Sequence, residues 1–411
     1  MKFDIVTVPT IPATPEERRR LKPIGRNKEK VQELYREITE CCVAAENAGF
    51  DAFSTTEHHF HTEGFEFSVS PLVLYSHLSA ICKKITFAPL GVVLPTWDPI
   101  RLAEEVAMLD QLTQGRVCVG LARGYQPRWT NILGQKYNVK AATMDGSAAD
   151  VNNREVFDEM FEILIKAWTK ETFDHDGKYY KVPFPHEGID WPVHEMTREM
   201  GAPGELDENG KVVQISVVPG PYQDPHPPLW QAYAASETTV RRCAEKGITP
   251  FLIISDPEKF NEFCQMFRDV AAQAGRQLRL GEGLGANRSV TFGDTYDEAF
   301  ELGVKTTGVV FHEYFTRFGF IEGFRIPSDP PDRDLGLRDP RAVFQRLVDA
   351  GFAICGTPDQ VTEEVAKVAR CHGDGELDWF SWNLFQQGNV SLDISLDQIT
   401  QFEKHVIKNF A

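Results

Sequence analysis

Short apolar runs and helical apolar stripes alternate along this chain, and the alternation predicts strand–helix units. The clearest unit lies at residues 85–124. Residues 85–94 are continuously apolar and β-rich, as a strand buried on both faces requires. Asp98-Pro99 supplies an N-cap acceptor followed by proline at the first helical position. Ile100, Ala103, Val106, Ala107 and Leu109 then recur at helical spacing. Gly115 stands just past that helix, where a left-handed residue is needed. Residues 117–121 form the next buried strand, which ends in Ala122-Arg123-Gly124.

The same reading covers the rest of the chain. Residues 3–8 are the first strand, and 9–30, proline-rich and then strongly charged, read as a long loop. A helix over 29–47 closes at Gly49. Strand 51–56 runs into Glu57-His58-His59-Phe60-His61, and a helix covers 71–82. After an irregular loop at 125–150 comes a helix at 153–169. Residues 170–228 lack sustained periodicity and read as a loop with a short hairpin, 212–218 being one of its strands. Strands at 229–235, 250–254 and 289–293 are each trailed by a helix, at 236–246, 257–274 and from 295. Gly281-x-Gly283-x-Gly285 lacks the dinucleotide spacing and reads as loop. A second excursion at 306–340 is rich in Phe, Gly, Pro and Asp. Helices at 341–350 and from Gly356-Thr357-Pro358-Asp359, a strand at 377–384 and a helix at 392–410 complete the chain. Eight strands each followed by a helix predict an α/β protein, a (β/α)8 TIM barrel. One domain spanning 1–411 is expected, with insertions at about 170–228 and 306–340, because neither insertion carries an obvious core.

Composition narrows the possible partners. The chain has 411 residues, a net charge of −17 and 42% hydrophobic content. That charge disfavours nucleic acid and anionic membrane surfaces. No apolar run approaches a membrane span, and the N-terminus starts directly as a strand without a signal-peptide pattern. The eight cysteines show no CxxC pair and read as buried, reduced thiols of a cytoplasmic protein rather than a zinc site.

In a barrel of this type the strand ends meet at one mouth. The histidines there titrate near neutrality and can move protons. Adjacent side chains on an extended segment point oppositely, so His58 and His59 cannot enter the mouth equally. A metal bound by Glu57, His58, His59 and His61 is set aside, since no ligands recur at the other strand ends. Arg123 suits bidentate phosphate or carboxylate recognition, the alternative being a structural ion pair. Ser236 with Thr239 opens a helix, either as a simple cap or as an anion site. The arginine and the hydroxyls together suit a phosphate.

The segments FSTTEHHF, LGVVLPTWDPIRLAEEVAMLDQLTQGRVCVGLARGY, PHPPLWQAYAASETTVRRCAEKG and CGTPDQVTEEV occur in that order. They resemble the bacterial luciferase-like flavin-dependent monooxygenases. The resemblance implies a barrel binding reduced FMN (FMNH2), with Arg123, Ser236 and Thr239 on its phosphate. Leu90-Gly91 matches a pair joined by a non-proline cis peptide beneath the flavin ring. His58 matches a proposed base or hydrogen-bonding group. Two positions depart from luciferase: Ala122 replaces a reactive cysteine, and Ala235 replaces an acidic residue beside the phosphate serine. The implied activity is oxygenation of a small organic substrate by O2 through a C4a-peroxyflavin, with a separate flavin reductase and a homodimer. A deazaflavin-dependent hydride transfer is the alternative, and a non-catalytic flavin-binding protein a third.

Overall fold

Every predicted strand of the barrel is present in the computed structural model, which describes residues 1–329 and 334–410. Positions 330–333 of the second excursion, and residue 411, lie outside the described residues. The sheet strands are β1 Lys2–Thr7, β2 Ala52–Thr55, β3 Thr86–Pro89, β4 Val92–Val93, β5 Val119–Ala122, β6 Leu229–Ala234, β7 Thr249–Leu252, β8 Gly285–Phe292, β9 Ala353–Gly356 and β10 Trp379–Asn383. The chain packs as two units, Met1–Pro71 with Leu78–Gly91 and 229 onward, and Leu72–His77 with Val92–Pro228.

In the first unit the strands pair in parallel in the order β3-β2-β1-β10-β8-β7-β6, with β9 on the second half of β8. Helices follow the strands: Lys28–Ala48 after β1, Glu237–Lys246 after β6, Pro257–Gln273 after β7, Pro358–Ala369 after β9 and Leu392–Phe402 after β10. Side-chain caps set their starts, as when Asn27 accepts from the Lys30 N–H at 3.0 Å. Gly49, at φ 87°, stops the first long helix.

Polar side chains also lie inside this sheet. Asp4 is fully buried and accepts hydroxyl hydrogen bonds from Ser54 at 2.6 Å and Ser381 at 2.7 Å. Asn287 donates to Ser381 at 3.1 Å, and Asn383 donates to Asn287. Burial pushes the Asp4 carboxyl up to about 7, with the two serines pulling it partly back. An unfolded Asp ionises near its ordinary 3.8, so folding takes up a proton between about 4 and 7. Stability is therefore greatest below that window and falls as pH rises through it. Asp4→Asn is expected to remove roughly 2–3 kcal/mol of the difference in stability between pH 5 and pH 8. Urea melts at the two pH values check this; an unaltered difference refutes it.

Three departures from the sequence reading have physical causes. Strand β8 starts at Gly285 rather than 289, because its first half carries buried Asn287 and Arg288 instead of apolar residues. Arg288 donates to the Leu252 and Ile254 carbonyls at 3.2 and 2.9 Å, and burial lowers its pKa to about 9. Strand β9, Ala353–Gly356, was not predicted. Residues 9–30 are not all loop: Pro15–Arg20 is a helix with no buried residue, so it has no apolar stripe. Its Glu16 and Glu17 at the start and arginines at the end complement the helix dipole instead.

The second excursion carries the helix Val309–Glu313 and the tight turns Phe315–Phe318 and Phe320–Phe324, and its described residues 325–329 and 334–338 are irregular. Phe311 and Phe324 pack with Phe344 and Phe352 in one buried cluster.

In the second unit β4 and β5 pair in parallel, Val92 with Leu121 and Val93 with Ala122. The predicted strand at 85–94 is thus two strands, broken at Leu90–Gly91. Asp98 caps the helix Pro99–Thr113 through the Ile100 and Arg101 N–H groups. That helix ends on two left-handed residues, Gln114 at φ 56° and Gly115 at φ 85°. The helix predicted from 153 begins earlier, at Ala148 behind the Ser147 cap. The loop at 125–150 holds the short helix Pro127–Leu133. The first excursion forms small antiparallel pairs, His175–Asp176 with Lys181–Val182 and Ile189–Asp190 with Lys211–Val212. Beyond Val212 the predicted strand keeps only a bridge from Ile215 to Phe173. Buried Asp110 anchors the end of this excursion by accepting from the Tyr222 and Gln223 N–H groups at 2.8 and 2.9 Å.

All eight cysteines are free thiols, and all but Cys355 are buried. No helix among the described residues is long and apolar enough to cross a membrane.

Candidate active site

In the first unit the segment after β2 turns back on itself and buries an unusual density of charge-bearing groups. Glu57, His58, His61 and Glu66 are all buried. The two adjacent histidines separate as the alternation of an extended segment dictates. His59 Nε2 lies 3.0 Å from Glu57 Oε1. The His58 ring turns the other way, its Nε2 3.7 Å from Glu66 Oε1, while its backbone N–H donates to the Ser68 carbonyl at 2.9 Å. Burial lowers the His58 pKa to about 3, with Glu57 pulling it up and His59 down. The ring is therefore neutral at physiological pH, and its approach to Glu66 is a polar contact rather than an ion pair.

Next to this cluster the Leu90–Gly91 peptide is cis, and the Leu90 N–H donates to the Thr55 carbonyl at 2.8 Å. At the end of β6, Ala235 and Ser236 lead into the helix Glu237–Lys246. Ser236 Oγ accepts from the Thr239 N–H at 3.3 Å and donates to Thr239 Oγ1 at 2.9 Å. Ser236 is exposed and Thr239 half-buried, so two hydroxyls stand together with the first helical N–H groups at the helix start. Glu237 would oppose an anion there, but its carboxylate is held by Arg241 Nε at 2.7 Å, one turn along.

Arg123 belongs to the second unit, at the end of β5. Its Nη1 donates to Asp150 Oδ1 at 3.0 Å, which is the structural ion pair weighed above as the alternative to phosphate binding. Asp150 also accepts from the Met144 and Gly146 N–H groups. The guanidinium has five N–H donors, so this pair leaves it capacity for an oxyanion. Gly124 follows at φ 77°, and a Cβ there would stand 2.6 Å from Val93 Cγ1 and 2.8 Å from Thr130 Oγ1. Only glycine lets the chain turn beside the arginine.

Sequence reasoning missed four residues of the site. Glu66, Tyr314 and Asn383 belong to no motif, and Tyr233 stands inside a quoted segment without a chemical signal of its own. Tyr233 takes a left-handed φ of 46°, and its hydroxyl donates to Asn383 Oδ1 at 3.5 Å. Tyr314, from the second excursion, reaches His61. No group of three or more His, Cys, Asp or Glu among the described residues could hold a metal ion. The hydroxyl-bearing helix start fits a phosphate, and the neutral buried imidazole of His58 fits a polar atom of a ring system.

The chain matches the family described as luciferase-like monooxygenase over residues 1–374. It is 26% identical to 3,6-diketocamphane 1,6-monooxygenase of Pseudomonas putida over 330 residues, which is 79% of this chain and 80% of that one. Among solved structures it resembles the FMN complex of the oxygenating constituent of 3,6-diketocamphane monooxygenase from Pseudomonas putida, with a TM-score of 0.72 at 21% identity, over 99% of this chain and 98% of that one. It also resembles the coenzyme F420-dependent tetrahydromethanopterin reductase of Methanopyrus kandleri, with a TM-score of 0.60 at 15% identity, over 100% and 99% of the two chains. These likenesses show the fold, the (β/α)8 barrel predicted from the order of elements.

Proposed function

The chain belongs to the luciferase-like monooxygenase family, and from that premise we propose that it is a flavin-dependent monooxygenase taking reduced FMN from a separate reductase. Its substrates are O2 and a small organic molecule. The observation that carries this reading is the buried, neutral His58 at a strand end, in a chain that also presents Ser236 and Thr239 at a helix N-terminus. The FMN bound to a structural neighbour, named there as an oxygenating constituent, supports it. The reading includes one domain with two insertions, a homodimer and a cytoplasmic location.

Reduced FMN supplies the electrons that activate O2, and the chain supplies everything else. Ser236 and Thr239 would hydrogen-bond a phosphate through their hydroxyls, and the guanidinium of Arg123 would suit phosphate by its charge. Leu90 and Gly91 would hold the ring. His58 holds or moves a proton at its imidazole. Ala122 and Ala235 leave the site without the thiol and the acid of luciferase, so a substrate other than a long-chain aldehyde is expected.

The test is anaerobic titration of the purified protein with reduced FMN and, separately, with a reduced deazaflavin, followed by mixing with O2. Tight FMN binding and a delayed, multiphasic return of oxidised-flavin absorbance support the oxygenase. The likeness to an F420-dependent reductase favours hydride transfer as the second reading. Tight deazaflavin binding with no reaction toward O2 would select it.

A further inference from the structure

We propose that Tyr314, His61 and Glu66 form a proton-transfer chain serving His58, an inference that rests on the oxygenase reading above. The four groups stand in sequence. The Tyr314 hydroxyl lies 3.3 Å from His61 Nδ1 and 3.5 Å from His61 Nε2. The other nitrogen of that ring, Nε2, lies 3.9 Å from Glu66 Oε2. The other oxygen of that carboxylate, Oε1, lies 3.7 Å from His58 Nε2. Glu66 thus faces the two rings with different oxygens, and His61 Nδ1, its nitrogen nearer Tyr314, leaves Nε2 to face the carboxylate. Imidazole and carboxyl can each accept a proton at one atom and release it from another. The asparagines of the interior cannot do this, so the Asp4 network is no substitute route.

Burial runs in the direction such a chain needs. His58, His61 and Glu66 are buried, whereas Tyr314 is partly exposed. Glu66 is held in place by an uncommon backbone. It takes a left-handed φ of 46°, which a non-glycine residue rarely adopts. Its carbonyl accepts from the Ser68 N–H at 3.0 Å, and the next N–H, of Phe67, donates to the Pro9 carbonyl at 2.6 Å. This turn is what sets the carboxylate between two rings. Gaps of 3.7 and 3.9 Å exceed a hydrogen bond, and side-chain movements of about 1 Å close them. Glu57, His59 and Tyr233 are the other titratable groups facing the cluster.

The bookkeeping of one passage is simple. The Tyr314 hydroxyl gives its proton to His61 Nδ1 and regains one from water. His61 releases its Nε2 proton to Glu66 Oε2. Rotation of the carboxyl presents that proton to His58 Nε2, and His58 would release its Nδ1 proton to a basic oxygen atom bound in the site. Each hop breaks one O–H or N–H bond and forms another, and no electron leaves the chain of groups. Glu66, His61 and Tyr314 act through His58, so they are positioning and relay residues.

Two measurements on the full-length protein test this. Histidine-selective 15N NMR at neutral pH reads ring tautomers without any flavin. Glu66→Gln is expected to change the His58 and His61 ring signals and spare the other histidines; unchanged signals at both overturn the proposal. The second measurement mixes the reduced-FMN-loaded protein with O2. Glu66→Gln and Tyr314→Phe are each expected to slow the return of oxidised flavin by at least about 10-fold with FMN affinity unchanged. Formate is expected to restore the rate in Glu66→Ala. Unaltered rates in both variants, while His58→Ala is slow, overturn the relay. Failure of the wild type to bind FMN would instead overturn the oxygenase reading, and the NMR result would still decide the relay.

Discussion

His58→Ala is expected to slow oxygenation by about 10²–10⁴-fold, the usual worth of a positioned acid–base group, with FMN affinity unchanged within about two-fold. The argument rests on where the ring sits. It is buried, and its pKa is lowered to about 3, chiefly by desolvation. A neutral imidazole carries one proton and one lone pair, so it can give and accept within a single step. Because His58 protonates only near pH 3, its own titration should leave no acid limb in the rate between pH 5 and pH 9. Single-turnover rates, with FMN binding measured separately by titration, check both statements. Equal loss of binding and rate would assign His58 to the cofactor's affinity rather than to the chemistry.

The second large effect is expected at Arg123. Loss of a charge-assisted hydrogen bond to a phosphate is worth about 1.5–3 kcal/mol, so Arg123→Ala should weaken FMN by roughly 10–100-fold. Arg123→Lys should recover only part of this, since a point charge cannot reproduce the planar fork. The pair with Asp150 complicates the alanine variant, because it strips a guanidinium from a buried carboxylate. Asp150→Asn is therefore the control. It should keep FMN affinity near wild type if the arginine's role is phosphate binding. Thermal melts of all three variants separate lost folding from lost affinity. FMN affinity unchanged in Arg123→Ala would show the arginine to be a structural partner of Asp150 alone.

Much of this was legible from local chemistry. The helix at 99–113 was readable because Asp98, Pro99 and the apolar stripe act within a turn of one another. Ser236 and Thr239 were readable because a cap is a contact three residues long. The histidine cluster was visible, and the split between His58 and His59 follows from strand alternation. The unpredicted features share a different character. Strand β9 is a four-residue strand fixed by its pairing with the second half of β8, a contact distant in sequence. The helix Pro15–Arg20 has no buried face for a hydrophobic pattern to report.

The sequence by itself determined the succession of strands and helices, their caps and the residue types delivered to the strand ends, because hydrophobic period and capping act over a few residues. Only the tertiary structure decided what those residues are chemically. Burial lifts the Asp4 carboxyl to about 7, against the opposing pull of a serine 377 positions away. Tyr314 meets His61 across 253 positions. His58 is neutral because the surrounding fold removes water from it, and Glu66 stands between two imidazoles because a left-handed turn puts it there. Desolvation and long-range contact are properties of the packed chain, and no local pattern of residues encodes them.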